Sequence, residues 1–162
     1  MKYFQLEGTI NEELTTKFMD FCNNNLSEDC TVVINSGGGK STLATVILDI
    51  INSNVDKFTL VSAGAYSAAF YIFFFAKCKR KIINGSLGMH HKEYLKDIYI
   101  NSDKKAIYST DKCQIKNLKN IDDSWAKGFL TKRERKGYDK SYDVYFTFKR
   151  MKKIFSNVEV VK

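Results

Sequence analysis

Two hydrophobic patterns alternate along the first half of the chain. The continuous β-branched run at residues 30–35 is typical of a fully buried strand in a parallel sheet. A helical stripe at i, i+3, i+4, i+7 and i+8 spacing follows it, formed by Leu43, Val46, Ile47, Ile50 and Ile51. Because strand, turn and helix then repeat, the pattern predicts an α/β fold.

The remaining elements are predicted from the same signals. Asn11 is expected to cap a first helix that carries Glu12 and Glu13 in its first turn. Strands are predicted at residues 2–8, 57–62, 80–84, 87–91 and 158–161, with turns at 36–39 and 63–66. Helices are predicted from residue 41, from 67 to about 77, at about 110–127 and around 141–155.

Length and composition indicate one ordinary globular domain. The chain has 162 residues, of which 44% are apolar and 27% charged, and its net charge is +8. The basic residues are spread widely and mixed with acids, so we interpret the charge as a solvated surface and expect no nucleic-acid or membrane partner. The basic clusters at 132–136 and 149–153 lie in predicted helices, where we expect them to form solvated faces.

Cysteine usage and the start of the chain indicate a cytoplasmic protein. None of Cys22, Cys30, Cys78 and Cys113 forms a CxxC pair, so neither a zinc site nor another metal site is predicted. The first residues lack the apolar segment of an export signal. The longest apolar run, residues 68–76, has nine residues, whereas a membrane span needs roughly twenty, so we expect a buried helix.

The glycines at 37–39 allow two interpretations. The sequence Gly39-Lys40-Ser41 matches the end of a phosphate-binding loop, but the first glycine of that motif would fall on Ile34. The loop is therefore too short to wrap a diphosphate. The other interpretation is an oxyanion loop, because glycine lets the backbone approach a substrate and direct an amide into a cleft.

Ser67 is a candidate nucleophile at the start of the most apolar helix. A helix N-terminus favours nearby negative charge, and the Ala68 amide could join that of Gly39 in holding an oxyanion. The alternative is that Ser67 only caps the helix. A serine nucleophile needs a base, and the only histidines are His90 and His91. Adjacent strand residues face opposite sides, so one of them at most faces Ser67.

Five motifs in this order resemble the proteolytic subunits of the Clp (caseinolytic) protease family, over residues 3 to 161. Residues 35–39 resemble N-S-P-G-G, 65–70 resemble A-A-S-M-G-A-F, 77–80 resemble K-G-K-R, 85–91 resemble N-S-R-x-M-I-H and 138–147 resemble R-D-T-x-R-D-R-F-L-S. The order serine, histidine, aspartate is the one found in that family.

The resemblance implies a serine peptidase with a catalytic triad. It identifies Ser67 as nucleophile, His91 as base with His90 as the alternative, and Asp139 as the orienting acid. Asp143, one helical turn further on, is the second candidate for that acid.

The same resemblance implies the oxyanion hole, the architecture and the partners. The amides of Gly39 and Ala68 would hold the oxyanion, without a cofactor. The fold would be the α/β superhelix of ββα units that Clp proteases share with crotonases, in a single domain over 1–162 with a handle region at about 92–130. Peptides or unfolded proteins would be the substrates, and the resemblance implies homo-oligomeric rings of seven subunits.

Departures from the family pattern keep other functions open. Gly37 replaces the usual proline and Tyr66 the usual alanine, which favours a catalytically inactive subunit that serves as an assembly partner. The resemblance includes no obvious counterpart of the N-terminal segment that contributes to docking of an AAA+ unfoldase in that family, so we expect dependence on such a partner to be doubtful. A crotonase-type acyl-CoA enzyme would share the fold without needing the ordered triad.

Overall fold

The computed structural model describes residues 1–91, 99–100, 106–107, 128–139, 143–155 and 158–161. The chain divides into two compact units, Met1–His90 with Asp143–Lys162 and His91–Tyr142. The predicted helix at 110–127 and most of the predicted handle lie outside the described residues. The assignment of a single domain stays a prediction.

A mostly parallel sheet forms the centre of the first unit. The strands described in the chain are β1 (Lys2–Ile10), β2 (Cys30–Gly39), β3 (Phe58–Tyr66), β4 (Lys79–Ile83), β5 (Leu87–His90), β6 (Tyr99–Ile100), β7 (Ala106–Ile107), β8 (Val144–Thr147) and β9 (Glu159–Val161). In the first unit the order is β1-β2-β3-β4-β9, all parallel, while β5 pairs in parallel with the end of β3 and antiparallel with β8.

Helices complete both units. They are α1 (Glu12–Asn25), α2 (Ser41–Ser53), α3 (Ala68–Phe75), α4 (Lys132–Asp139) and α5 (Phe148–Ile154). The second unit contains α4 and the antiparallel pair β6–β7. Within the described residues, no helix is both long and apolar enough to span a membrane. The predicted α/β class is confirmed by this alternation of strands and helices.

Local signals explain the first helix and its packing. The Leu14 amide donates to Asn11 Oδ1 over 2.9 Å, which confirms the predicted cap. Phe18, on the buried face of α1, packs edge-on against Phe4 of β1 with ring centroids 5.2 Å apart. This contact holds helix α1 against strand β1 of the sheet.

The buried face of α2 differs from the predicted stripe. Its fully covered residues are Ala44, Ile47, Leu48 and Ile51. Val46, assigned to the stripe, is 39% exposed, so that assignment is wrong. The pattern counted only large side chains and so left out Ala44, which is fully buried.

Both predicted glycine turns are extended strand. Residues 36–39 continue β2, where Gly38 pairs with Thr9 of β1 and Ser36 pairs with Ala65 of β3. Residues 63–66 likewise continue β3, because their partners lie on β2 and β5. Pairing with strands distant in sequence outweighs the local preference of glycine for turns.

The segment 144–147 is also a strand rather than part of the predicted helix. Val144 and Phe146 are buried while Tyr145 and Thr147 are exposed, the period of two expected of β8. The predicted helix therefore begins only at Phe148.

Contacts at both ends hold α3 in place. The ring of Phe70 stacks on that of Phe146 at 5.1 Å and 6°. At the other end Arg80 donates to the carbonyl oxygens of Phe73 and Phe74 over 3.3 and 2.8 Å. A cation at the last carbonyls of a helix is favourable. This anchoring matters because α3 begins directly after Ser67.

Candidate active site

Strands β2, β3 and β5 end at the same edge of the sheet. In open parallel sheets, ligands bind outside the carboxyl ends of the strands. Gly39, Tyr66 and His90 are the last residues of these three strands. The candidate residues of the first unit thus meet at the edge where a site is expected.

Ser67 lies at a strained corner between β3 and α3. Its φ and ψ are 52° and −121°, and no other non-glycine residue in the described ranges has a positive φ. Such a conformation costs on the order of 1–3 kcal/mol and is concentrated at functional sites. It is typical of a nucleophile on a sharp strand-to-helix turn.

Backbone hydrogen bonds hold this corner. The Ser67 amide donates to the carbonyl of Met89 on β5 over 2.8 Å, and the Ser67 carbonyl accepts from Tyr71 over 3.0 Å. The side chain of Ser67 makes no capping hydrogen bond to α3. Ser67 is the N-cap residue of α3, but the side-chain capping bond of the alternative interpretation is not formed.

The glycines of β2 approach this corner closely. A Cβ placed on Gly38 would lie 2.7 Å from the Tyr66 carbonyl oxygen, 2.8 Å from Ser67 Cβ and 3.0 Å from the Ala68 nitrogen. Since Gly38 also has a φ of +95°, only glycine fits there. Sequence reasoning missed this contact, although the run of three glycines was the available signal.

Ser36 fixes the end of β2. Its hydroxyl donates to the Gly8 carbonyl over 2.6 Å and accepts from the Gly38 amide over 3.1 Å. Gly39 pairs with Ile10, and the Lys40 amide donates to the Ile10 carbonyl over 2.9 Å. Because this segment is extended and paired, it does not wrap a phosphate, and the nucleotide-binding interpretation is not supported.

The two histidines occupy different surroundings. His90 ends β5 opposite Val144, is 8% exposed, and has its ring 6.3 Å from that of Phe70. His91 follows directly, is partly exposed, and opens the second unit. Burial alternates along β5, with Gly88 and His90 more covered than Leu87 and Met89, as expected for a strand.

The two candidate acids also lie in different units. Asp139 is the last residue of α4 in the second unit. Asp143 is exposed and belongs to the first unit. The structure thus brings together Ser67, Ala68, the end of β2 and the strand that leads to the histidines. The roles of His91 and Asp139 beside Ser67 stay predictions.

The buried thiols do not compete with Ser67 as nucleophiles. Burial raises the pKa of Cys22 and of Cys78 to about 11 and raises the pKa of Cys30. A neutral thiol is a poor nucleophile. In the part of the chain that is described, no three His, Cys, Asp or Glu residues are grouped so as to hold a metal ion.

Fold and site together define an α/β protein with a strained serine between a strand and an apolar helix. A family model, "Clp protease", matches residues 3–110. The chain belongs to the Clp protease family, and the predicted resemblance is confirmed.

The solved structures include a clear relative in fold. The ClpP protease catalytic domain of Plasmodium falciparum is 23% identical and superposes with a TM-score of 0.65, covering 99% of this chain and 84% of that one. This similarity confirms the predicted ClpP-type α/β fold. A search among curated proteins finds no significant match.

Proposed function

We propose that this protein is a serine endopeptidase with Ser67 as its nucleophile. The observation that carries the proposal is the backbone of Ser67, strained at a strand-to-helix corner and packed against Gly38. Strain of this kind persists only where the surroundings enforce it. Membership of the Clp protease family supports peptide bonds as the target.

The amides of Ala68 and Gly39 are proposed to hold the oxyanion. Ala68 is the first residue of α3, so its N–H has no partner within the helix. Successive N–H groups of an extended strand point to opposite sides. Since the Lys40 amide points to Ile10 on β1, the Gly39 amide is expected to point away from β1, towards Ser67.

His91 is proposed as the base, with His90 as the alternative. The ring of His90 packs on Phe70, and only 8% of the residue is exposed. This supports a packing role for His90. If the alternation of β5 continues one residue beyond its end, His91 is expected on the more open face with Met89. Asp139 would accept from the imidazole and keep it in the productive tautomer.

Catalysis would follow the acyl-transfer route. The imidazole removes the Ser67 proton while Oγ attacks the peptide carbonyl carbon. The tetrahedral oxyanion then receives hydrogen bonds from the two amides. The imidazolium protonates the leaving amine, and a water molecule, deprotonated by the same imidazole, hydrolyses the acyl-enzyme to the free acid and Ser67.

We further propose that the protein works on peptides or unfolded chains as a ring-forming homo-oligomer in the cytoplasm. The substrate and the ring follow from the family assignment, and the location follows from the cysteine usage of the sequence. The same argument extends to rings of seven subunits. It extends with less support to an AAA+ unfoldase as a partner.

A fluorophosphonate probe tests the nucleophile. The wild type should be labelled and should cleave a casein or fluorogenic peptide substrate, and Ser67→Ala should lose both activities while keeping its fold by circular dichroism. Ser62→Ala is the matched control, because Ser62 is a buried serine on β3, the strand that ends directly before Ser67. Labelling that persists in the Ser67 variant would refute the proposal.

An inactive assembly subunit is the second candidate. It is favoured by the ring of Tyr66, which lies against the backbone of Gly64 next to the nucleophile. A wild-type protein that folds and assembles but reacts with no fluorophosphonate would establish this alternative.

A further inference from the structure

Lys40 follows the glycines of β2 and makes three connections at the point where this strand ends. Its amide donates to the Ile10 carbonyl over 2.9 Å, and its carbonyl accepts from the Ala44 amide of α2 over 3.0 Å. Its ammonium group donates to Glu12 Oε1. The chain between β2 and α2 is therefore attached to the end of β1 by its backbone and to the start of α1 by a side chain.

The two glycines before Lys40 lie against different neighbours of β2. A Cβ placed on Gly39 would lie 2.3 Å from the Ile10 carbonyl oxygen and 2.7 Å from the Ile10 nitrogen, both on β1. A Cβ placed on Gly38 would instead meet Ser67 and its chain neighbours, which follow from β3. The segment is thus packed between the end of β1 and the proposed nucleophile, so the contacts that fix it on β1 also fix it beside Ser67.

Glu12 is a well-defined partner for Lys40 because it is the first residue of α1. A carboxylate is favourable at a helix N-terminus. The hydrogen bond from Lys40, followed by one from the backbone amide of Glu12 itself, lowers the pKa of this carboxyl below its usual value. The carboxylate is therefore charged at neutral pH and is held by two donors, one of which belongs to the helix.

The position of Lys40 is one where a cation is normally unfavourable. Lys40 is the N-cap residue of α2, and its side chain makes no capping hydrogen bond to that helix. A positive charge at a helix N-terminus is destabilising, and the carboxylate of Glu12 offsets this effect. The ion pair joins residues 28 positions apart in the sequence, so it connects two separate elements rather than two turns of one helix.

We infer that Lys40 is a positioning residue, whose ion pair with Glu12 holds the end of β2 in place beside Ser67. For its effect on catalysis the inference rests on the proposed function, in which the Gly39 amide binds the oxyanion. Lys40 itself takes no part in the chemistry.

A second ion pair of the same kind provides the control. The side chains of Lys17 and Glu13 are 65% and 73% exposed, close to the 59% and 70% of Lys40 and Glu12. The control pair lies entirely within α1, so its removal costs the same type of interaction without releasing β2.

Hydrogen–deuterium exchange tests the positioning without relying on activity. Glu12→Ala should speed exchange in the peptide that spans residues 36–40 about two- to fivefold, the range for loss of an exposed ion pair. The reason is that the hydrogen bond from the Lys40 amide to Ile10 opens more often. Glu13→Ala should leave this peptide unchanged. Equal exchange in the two variants overturns the inference, whether or not the protein is a peptidase.

Steady-state kinetics with a fluorogenic peptide tests the catalytic consequence. Lys40→Met should lower kcat about two- to fivefold with KM unchanged, because an oxyanion donor acts in the transition state. Lys40→Arg restores the cation and should retain kcat, as should the control Lys17→Met. An unchanged kcat in Lys40→Met, or a rise in KM alone, overturns the role in catalysis. If the wild type shows no turnover, the proposed function fails and the exchange experiment alone decides the inference.

Discussion

At the residue scale, the close approach of β2 to Ser67 depends on Gly38. A methyl group there would meet backbone atoms of Tyr66 and Ala68, which cannot move aside as a flexible side chain can. The positive φ of Gly38 adds strain to any substitution. The geometry of the proposed oxyanion hole is therefore sensitive to a single carbon atom.

Gly38→Ala should lower peptidase kcat by at least about tenfold, since a misplaced oxyanion donor costs a large part of the stabilisation. Gly37→Ala is the matched control, because a Cβ at Gly37 meets no atom within 4 Å. Steady-state kinetics of both variants checks this. Equal losses of kcat in the Gly38 and Gly37 variants would argue against a role for the close approach of β2 to Ser67.

The two histidines should respond differently to substitution. His91→Ala should abolish turnover with little loss of stability. His90→Phe should retain turnover, because the ring of His90 already packs against Phe70. Peptide hydrolysis and urea unfolding of both variants check this. Loss of turnover only in the His90 variant would transfer the role of base to His90.

At the element scale, α3 and β8 stabilise the corner that carries Ser67. Phe146 of β8 is fully buried, stacks on Phe70, and lies 5.0 Å below the Arg150 guanidinium. Tyr145, its neighbour on the same strand, is 58% exposed. The two residues therefore offer a buried and an exposed aromatic side chain on one strand.

Phe146→Ala should lower the free energy of unfolding by about 3–5 kcal/mol, the usual cost of removing a buried phenylalanine. Tyr145→Ala should change it by no more than about 0.5 kcal/mol. Urea denaturation of both variants measures the difference. Similar values at the two positions would contradict the packing of β8 described above.

Elements specified by local patterns could be predicted from the sequence, whereas those specified by distant partners could not. The β-branched run at 30–35, the Asn11 cap and the apolar helix after Ser67 all formed as expected. The segment 36–39 was mistaken for a turn because its partners, β1 and β3, are remote in sequence. The same reason explains 144–147, where a short strand runs directly into a helix.

The candidate site was predictable to a similar extent. Ser67 could be proposed as a candidate because a serine before a very apolar helix is a local signal. The contact of Gly38 with Ser67 was missed, since it depends on how two strand ends approach each other. A sequence pattern can indicate that glycine is present, but not which glycine comes closest.

At the scale of the whole molecule, the ionisation of buried thiols makes the folding stability depend on pH in the alkaline range. The pKa of Cys22 and of Cys78 is raised from 9.0 to about 11 by burial. In the unfolded chain the thiols lose their protons near pH 9, before they do so in the folded protein. The neutral-thiol contribution to stability is therefore complete below pH 9 and is lost as the pH rises towards 11.

The wild type should accordingly become less stable between pH 9 and 11, as measured by urea unfolding across that range. Cys78→Ala should have a shallower decline, because one of the buried thiols with a raised pKa is removed. The comparison uses the slope of the free energy of unfolding against pH. A constant loss of stability caused by the smaller alanine side chain does not change this slope. An unchanged slope in the variant would show that Cys78 does not contribute to the pH dependence.

The account depends most on Ser67 as the reacting group. The most direct measurement is mass-spectrometric mapping of the adduct formed when the wild-type protein is treated with a fluorophosphonate. We expect one phosphonyl group per chain, located on Ser67. An adduct on another residue, with Ser67 unmodified, would contradict the proposed mechanism.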